Sequence, residues 1–290
     1  MRLLRAGAIT LRLLGGILAS ASPASLSRCA VGIDHLPVAV SDLDRAAEIC
    51  TRLGFAIKPG RFHANGVRNK HVKFEDGAGI ELITAKQAVD ALSATYVRLL
   101  SQNEGPAFLS FHTSDIGLLH AGFRRAGFSY SEDDGALTLR DPRLHFVFFF
   151  EGDNRSPTDR AEHFLHLNSA YATAGVWIAD GEDSQLVPLL KSIGGVVVKK
   201  KVFVPTQRTT TVVQVQNGDV VFLPRSSQTI PGRPIVGLVF LTRNLDALRH
   251  CLDASHIAPA THVEAADHES VIVDPQQAFG MWLEFRQLRQ

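Results

Sequence analysis

The stretch Val31–Thr84 opens VGIDHLPVAVSDLDRAAEICTRLGFAIKPG and closes HVKFEDGAGIELIT. Residues Ile33–Val40 alternate as a half-buried strand does. Ser41 or Asp42 then caps a helix, LDRAAEICTRL, with Leu43, Ala46, Ala47 and Cys50 on one face. Gly54 stops it where a left-handed residue is wanted, and Phe55 opens the next strand. HVKFEDG and AGIELIT read as two strands joined by a tight turn at Asp76-Gly77. The order is βαβββ, and it places His35 on the first strand and Glu81 on the last.

That order recurs three times. From Pro106, FLSFHTSD is strand and cap, IGLLHAGFRRAGF a helix stopped by Gly127, and ALTLRDPRLHFVFFFE a closing pair with Asp141-Pro142 at its turn. The third unit begins near Ala174. GVWIAD is its strand, DSQLVPLLKSIGG its helix, and VVVKKKVFV and VVQVQNGDVVFLP its remaining strands, with a hairpin signal at Asn217-Gly218. The fourth runs from Pro234 through IVGLVFLT, RNLDALRHCLDAS and SVIVDPQQAFGMWLEF. A unit this small buries only one face of its sheet, so units must pair. The expected fold is α+β, with four βαβββ units pairing into two curled mixed sheets, each enclosing a cup. Residues 31–151 form the first pair, 152–173 a polar connection, and 174–290 the second pair. Phe164, Leu165 and Leu167 suggest that the connection packs against the cup.

Composition excludes several classes. The chain has 290 residues, 45% of them hydrophobic, and a net charge of +1, so nothing points to nucleic acid or to an anionic membrane surface. Three cysteines without a CxxC argue against a disulfide framework and suit a reducing, cytoplasmic compartment. Residues 1–30 have a basic start and an apolar run, as an export signal does, but Arg12 interrupts that run. The alternative readings are a disordered extension or a start assigned too early, with the folded part beginning near Val31.

The repeat, with DHLPVAVSDLDRAAE at its start and GIELIT at its end, resembles the vicinal-oxygen-chelate superfamily, which includes glyoxalase I, methylmalonyl-CoA epimerase, extradiol dioxygenases and bleomycin-resistance proteins. GRFHANGVRNKHVKFEDGAGIELI, HFVFFFEG and HLNSA are similar to the glyoxalase-like domain proteins within it. The likeness covers Val31–Ala179 best, and VDPQQAFGMWLEF looks like an epimerase-type final strand.

The resemblance implies a divalent cation (Zn, Ni, Mn or Fe) held by first- and last-strand residues, here His35, Glu81 and Glu284. Glu81 or Glu284 would then shuttle a proton, and His63, Asn69, His112, His166 and Asn168 would contact the substrate. Aligned on their caps, unit two offers Phe108 and unit four Gly237 opposite His35, and neither is a ligand. A three-residue site would require units one and four to share a cup. Two functions follow: a glyoxalase-like lyase or isomerase acting on a small oxygen-rich metabolite, or a non-enzymatic binding protein of the bleomycin-resistance type. Either is compatible with a homodimer.

Overall fold

The structure is a computed structural model that describes residues 29–133 and 135–289. The export-like segment therefore lies outside the described residues.

Unit one comprises β1 (Val31–Ile33), β2 (His35–Ala39), α1 (Leu43–Arg52), β3 (Lys58–Phe62), β4 (Val67–Lys73) and β5 (Gly79–Ala85). Helix α2 (Ala91–Leu100) follows. Unit two comprises β6 (Gly105–Pro106), β7 (Leu109–Thr113), α3 (Ile116–Arg125), β8 (Tyr130–Asp133), β9 (Ala136–Leu139) and β10 (Val147–Glu151). Unit three holds β11 (Ala170–Ile178), α4 (Leu186–Ser192), β12 (Val196–Phe203), β13 (Gln207–Val215) and β14 (Gly218–Phe222). Unit four holds β15 (Ile235–Thr242), α5 (Leu245–Ala254), β16 (Thr261–Glu264), β17 (His268–Val273) and β18 (Trp282–Leu288).

Local chemistry sets these boundaries. The Asp42 carboxylate accepts from the N–H groups of Asp44 and Arg45 and so caps α1. Gly54, at φ +85°, ends it, and any side chain there would strike Asn168 and Cys251. Helix α2 has no counterpart in the repeat. A reciprocal Asp90–Ser93 capping box starts it.

Units pair in chain order. Units three and four share one eight-stranded sheet, β12-β13-β14-β11-β15-β18-β17-β16, joined antiparallel between β11 and β15. Units one and two are joined differently. Their sheets run β3-β4-β5-β2-β6 and β8-β9-β10-β7-β1. The run read as one strand from Ile33 to Val40 is divided at Asp34. Val31–Ile33 pairs with β7 of unit two, whereas His35–Ala39 pairs with β5 of its own unit. Unit two reciprocates, because β6 pairs with β2 before β7 enters its own sheet. Asp34 donates its N–H to Ser110 O and accepts from Gly79 N–H, so its backbone bonds into both sheets.

Helices α1, α3, α4 and α5 lie between the two halves, whereas α2 packs on the cup side of unit one. The end of α1 meets α5 through Arg52 Nη2 and Ser255 O at 2.9 Å, and Gly122 of α3 packs on Ser192 and Ile193 at the end of α4. Phe55 and Phe74 of unit one stack with Phe240 and Phe285 of unit four at centroid distances of 5.1–6.0 Å. With the helix-covered faces packed together, the concave faces of the halves turn outward. Among the described residues no helix is long and apolar enough to cross a membrane.

Asn217, read as a hairpin former, also bolts the halves together. Its Oδ1 accepts from Ile33 N–H at 2.7 Å and its Nδ2 donates to Ile33 O at 2.8 Å. Asn217→Ala leaves both backbone groups without a partner and should cost about 1–3 kcal/mol. Phe240→Ala should cost about 3–5 kcal/mol. Urea denaturation of each variant checks both values, and the midpoint should fall without a change in slope.

Candidate functional site

The register of the first half decides which side chains meet. In β4 and β5, His71 pairs with Glu81 and Asn69 with Ile83, and Glu81 pairs with Pro37 of β2. Side chains alternate across a strand. Val72, Ile80, Leu82, Leu36 and Val38 therefore face the helices and lie in the core. His35, Asn69, His71 and Glu81 face the cup.

His35 lies between two carboxylates. Its Nδ1 is 2.7 Å from Asp34 Oδ2, and its Nε2 is 3.4 Å from Glu81 Oε2. Asn69 fixes the other Glu81 oxygen, donating Nδ2–H to Oε1 at 2.6 Å, while its own Oδ1 accepts from Arg61 N–H at 2.7 Å. Gly60 is obligatory beside it, because a Cβ there would lie 2.0 Å from Asn69 O. Burial disfavours charge on His35, but hydrogen bonds and attraction from Asp34 and Glu81 prevail and raise its pKa to about 9. Burial likewise opposes ionised Glu81, yet His35, His71 and Asn69 hold its carboxyl well below the usual range. At neutral pH the pair is an imidazolium beside a carboxylate. Both groups reach solvent, with side-chain exposures of 11% and 16%.

The opposite wall is aromatic. Phe148 sits edge-on to the His35 ring at 5.9 Å and Phe150 stacks on it at 6.4 Å. Phe148 pairs with Ser110, two residues after Phe108, just as Glu81 pairs with Pro37, two residues after His35. Phe108 and Phe148 thus occupy in unit two the places of His35 and Glu81 in unit one. Buried Tyr96 of α2 fills one end of the cup, edge-on to Phe108 at 5.9 Å.

The other predicted residues lie elsewhere. His63 is exposed in the turn after β3, with Nε2 3.5 Å from Asn69 Nδ2, so it borders the site only through Asn69. His112 shares the face of Phe108 but lies opposite Gly32, whose Cβ would fall 2.4 Å from its Nε2. It covers Gly32, one repeat past Ser110, and Ser110 is the residue that reaches Asp34 (3.2 Å). The substrate role expected of His166 and Asn168 is corrected. His166 Nδ1 accepts from Ala56 N–H and its Nε2–H donates to Lys73 O, both at 2.9 Å. Asn168 donates to Leu53 O at 2.7 Å and accepts from Ala170 N–H at 3.0 Å. Both are buried with their hydrogen bonds spent on backbone, and His166 packs against Phe55 and Phe74 on the helix side of the sheet. The connection packs on the first half as expected, but through buried His163, His166 and Asn168, whereas Leu165 and Leu167 are 70% and 74% exposed.

Glu284 is corrected too. It lies in the second cup, where Ser270 Oγ donates to it at 2.7 Å and Arg286 Nη2 at 2.9 Å. Unit order keeps it from sharing a ligand with His35. Trp177 covers Gly237 there, leaving no room for a side chain at the position equivalent to His35. Trp177 and Glu284 line a separate cavity of about 650 Å³.

His71 was not singled out from the sequence, although it is two residues from Asn69 and must share its face. Burial pushes its pKa down to about 4, against the pull of Glu81, and its Nδ1 is buried without a hydrogen-bond partner.

A divalent cation is what the resemblance implies. His35 Nε2 and Glu81 Oε2 converge, and Asp34 on Nδ1 is the carboxylate partner that metal-bound histidines commonly carry. That makes two donors. Their counterparts in unit two are phenylalanines, and among the described residues no group of three His, Cys, Asp or Glu side chains is arranged to hold a metal ion. The donor set does not complete a cation site.

The paired βαβββ units with outward cups are the fold of the vicinal-oxygen-chelate superfamily. A family model described as "Glyoxalase-like domain" matches residues 33–201, and the chain belongs to that family. No curated protein matches the sequence. Among solved structures, a xylose isomerase-like TIM barrel/4-hydroxyphenylpyruvate dioxygenase fusion protein is similar at TM-score 0.64 and 12% identity, covering 93% of this chain and 50% of that one. This chain therefore spans half the length of the fusion protein. A mutant 4-hydroxymandelate synthase from Streptomyces coelicolor is similar at TM-score 0.65 and 12% identity, covering 89% and 92% of the two chains. The Mn(II)-bound glyoxalase from Novosphingobium aromaticivorans is similar at 0.59 and 11%, covering 90% and 83%. At these identities the likeness is one of fold.

Two outcomes test the site. The His35 ring should remain doubly protonated to about pH 9 by NMR, and Asp34→Asn should lower that midpoint by at least about one unit. Because the folded pKa is raised, the stability His35 contributes is full below the unfolded value near 6.5 and is lost as pH rises through about 9, whereas the lowered Glu81 pKa makes the contribution of Glu81 fall away on acidification. His71 has the opposite sign, since its lowered pKa makes acidification between about 6.5 and about 4 destabilising. Secondly, after incubation with Mn²⁺, Ni²⁺, Zn²⁺ or Fe²⁺ and dialysis, elemental analysis should find well under one metal per chain. A full equivalent that disappears in both His35→Ala and Glu81→Ala would show a cation site.

Proposed function

We propose that this protein binds a small oxygen-rich metabolite in the cup of units one and two and moves a proton on it. The observation that carries this reading is a charged N–H donor and a carboxylate acceptor 3.4 Å apart, reaching solvent, against an aromatic wall.

His35 Nε2–H would donate to a ligand oxygen and stabilise the negative charge that grows there. Asp34 keeps the ring oriented and charged through Nδ1. Glu81 Oε2 is within reach of a proton on the adjacent carbon, because Asn69 holds the carboxylate by its other oxygen. Phe148 and Phe150 supply apolar surface for the ligand's carbon skeleton and shield the ion pair from water.

The second reading, binding without turnover, is favoured by Phe108 and Phe148, which replace the polar half-site in unit two. One experiment separates the two. A panel of small 2-oxo and 2-hydroxy acids is incubated with the protein in D₂O, and loss of the carbon-bound proton is followed by NMR. Exchange is expected for at least one compound, with Glu81→Gln slowing it by roughly 10²–10⁴-fold while binding persists. Binding without exchange in the wild type would leave the binding-protein reading, and no binding by the panel would overturn both.

A further inference from the structure

Beside the His35–Glu81 pair lies a cavity of about 480 Å³, roofed by the connection between the halves and floored by β3 and β4. His71, which faces Glu81 across the sheet, is part of its wall. The charged side chains lining it are all cationic, Lys58, Arg61, Lys73 and Arg160, and the imidazoles of His71 and His163 complete its polar wall.

Two of these cations are buried deeply. The side chains of Lys58 and Lys73 are 9% and 2% exposed. They share one carboxylate, Asp159, which pairs with Lys58 and stands 3.8 Å from Lys73 Nζ. Lys73 otherwise donates only to Asn154 O. Asp34 and Asp153 also act on Lys73 through space, but Asp34 is bonded to His35 and Asp153 to Arg155. Arg61, exposed at the rim, has no carboxylate within ion-pairing distance among the described residues, and Arg160 meets Glu162 only at 3.7 Å. Buried cations without full compensation are costly, and the unpartnered His71 Nδ1 adds an unused polar group to the same wall. An anion in the cavity would relieve both.

We propose that this cavity is a phosphate subsite, taking the phosphate group of the metabolite whose reacting oxygens meet His35. The assignment of the reacting end rests on the function proposed above. Several ammonium and guanidinium groups converging with one carboxylate among them match a dianion better than a single carboxylate charge. The connection supplies the roof, so the anion site exists only where residues 154–163 fold over β3 and β4.

The test is isothermal titration at constant ionic strength with inorganic phosphate and pyrophosphate, using acetate as the carboxylate comparator. Wild-type protein is expected to bind phosphate at least tenfold more tightly than acetate. Arg61→Ala, at an exposed position where folding is not at stake, should weaken phosphate at least threefold, and Lys58→Met with Arg61→Ala at least tenfold. His35→Ala should bind phosphate as the wild type does. Equal binding of phosphate and acetate, absence of phosphate binding, or wild-type affinity in Arg61→Ala would overturn the subsite, as would loss of phosphate binding in His35→Ala, which would place the anion at His35. Proton exchange with Glu81→Gln reads the other end of the cup, so failure of that reading and failure of this one are separate results.

Discussion

The first half depends on the crossing of the chain at Asp34. Its N–H bonds to the sheet of unit two and its C=O to the sheet of unit one, so one residue joins two sheets that share no continuous ladder there. The same residue's carboxylate orients His35 and accepts from Ser110. The backbone joint and the polarisation of the candidate site are therefore one interaction. The imidazolium and the hydroxyl both meet its Oδ2, whereas Oδ1 is buried without a hydrogen-bond partner, so the charge of His35 is what offsets burial of this carboxylate.

Pseudo-symmetry explains why the cup is polar on one side only. Duplicated units bring equivalent positions into register, so whatever stands at His35 and Glu81 faces whatever stands at Phe108 and Phe148. Four polar donors at these positions would make a cation site. Two polar and two aromatic groups make an ion pair under an apolar wall. In the second half, Trp177 over Gly237 occupies one equivalent position and the Glu284–Arg286 pair takes another, so the two cups are built for different contacts.

The halves are not independent beads. The Phe55–Phe74–Phe240–Phe285 cluster, the Asn217 clamp on Ile33 and the backbone bonds of His166 and Asn168 all join residues distant in sequence. The connection serves both halves. Its early part roofs the basic cavity through Asp159, and its later part fastens α1 to β11 through Asn168.

The sequence by itself determined the units. Alternation, Asp and Asn caps, terminal glycines and the Asn217-Gly218 turn are local signals, and each marks an element present in the structure. Strand period is local geometry, so His71 was legible as sharing the face of Asn69, but that this face also carries His35 and Glu81 is set by the register of three strands. Helix α2 is marked by its Asp90–Ser93 box, although it stands outside the repeat. Only tertiary structure decided the rest. Pairing order separates Glu284 from His35, and no local pattern encodes which sheets share an edge. The division of the first strand at Asp34 is set by a partner strand about 80 residues away in the chain. His166 and Asn168 looked like site residues because polar side chains in a loop are ambiguous until the backbone groups they satisfy are known. The basic cavity arises where the connection folds over β3 and β4, a juxtaposition of segments about a hundred residues apart.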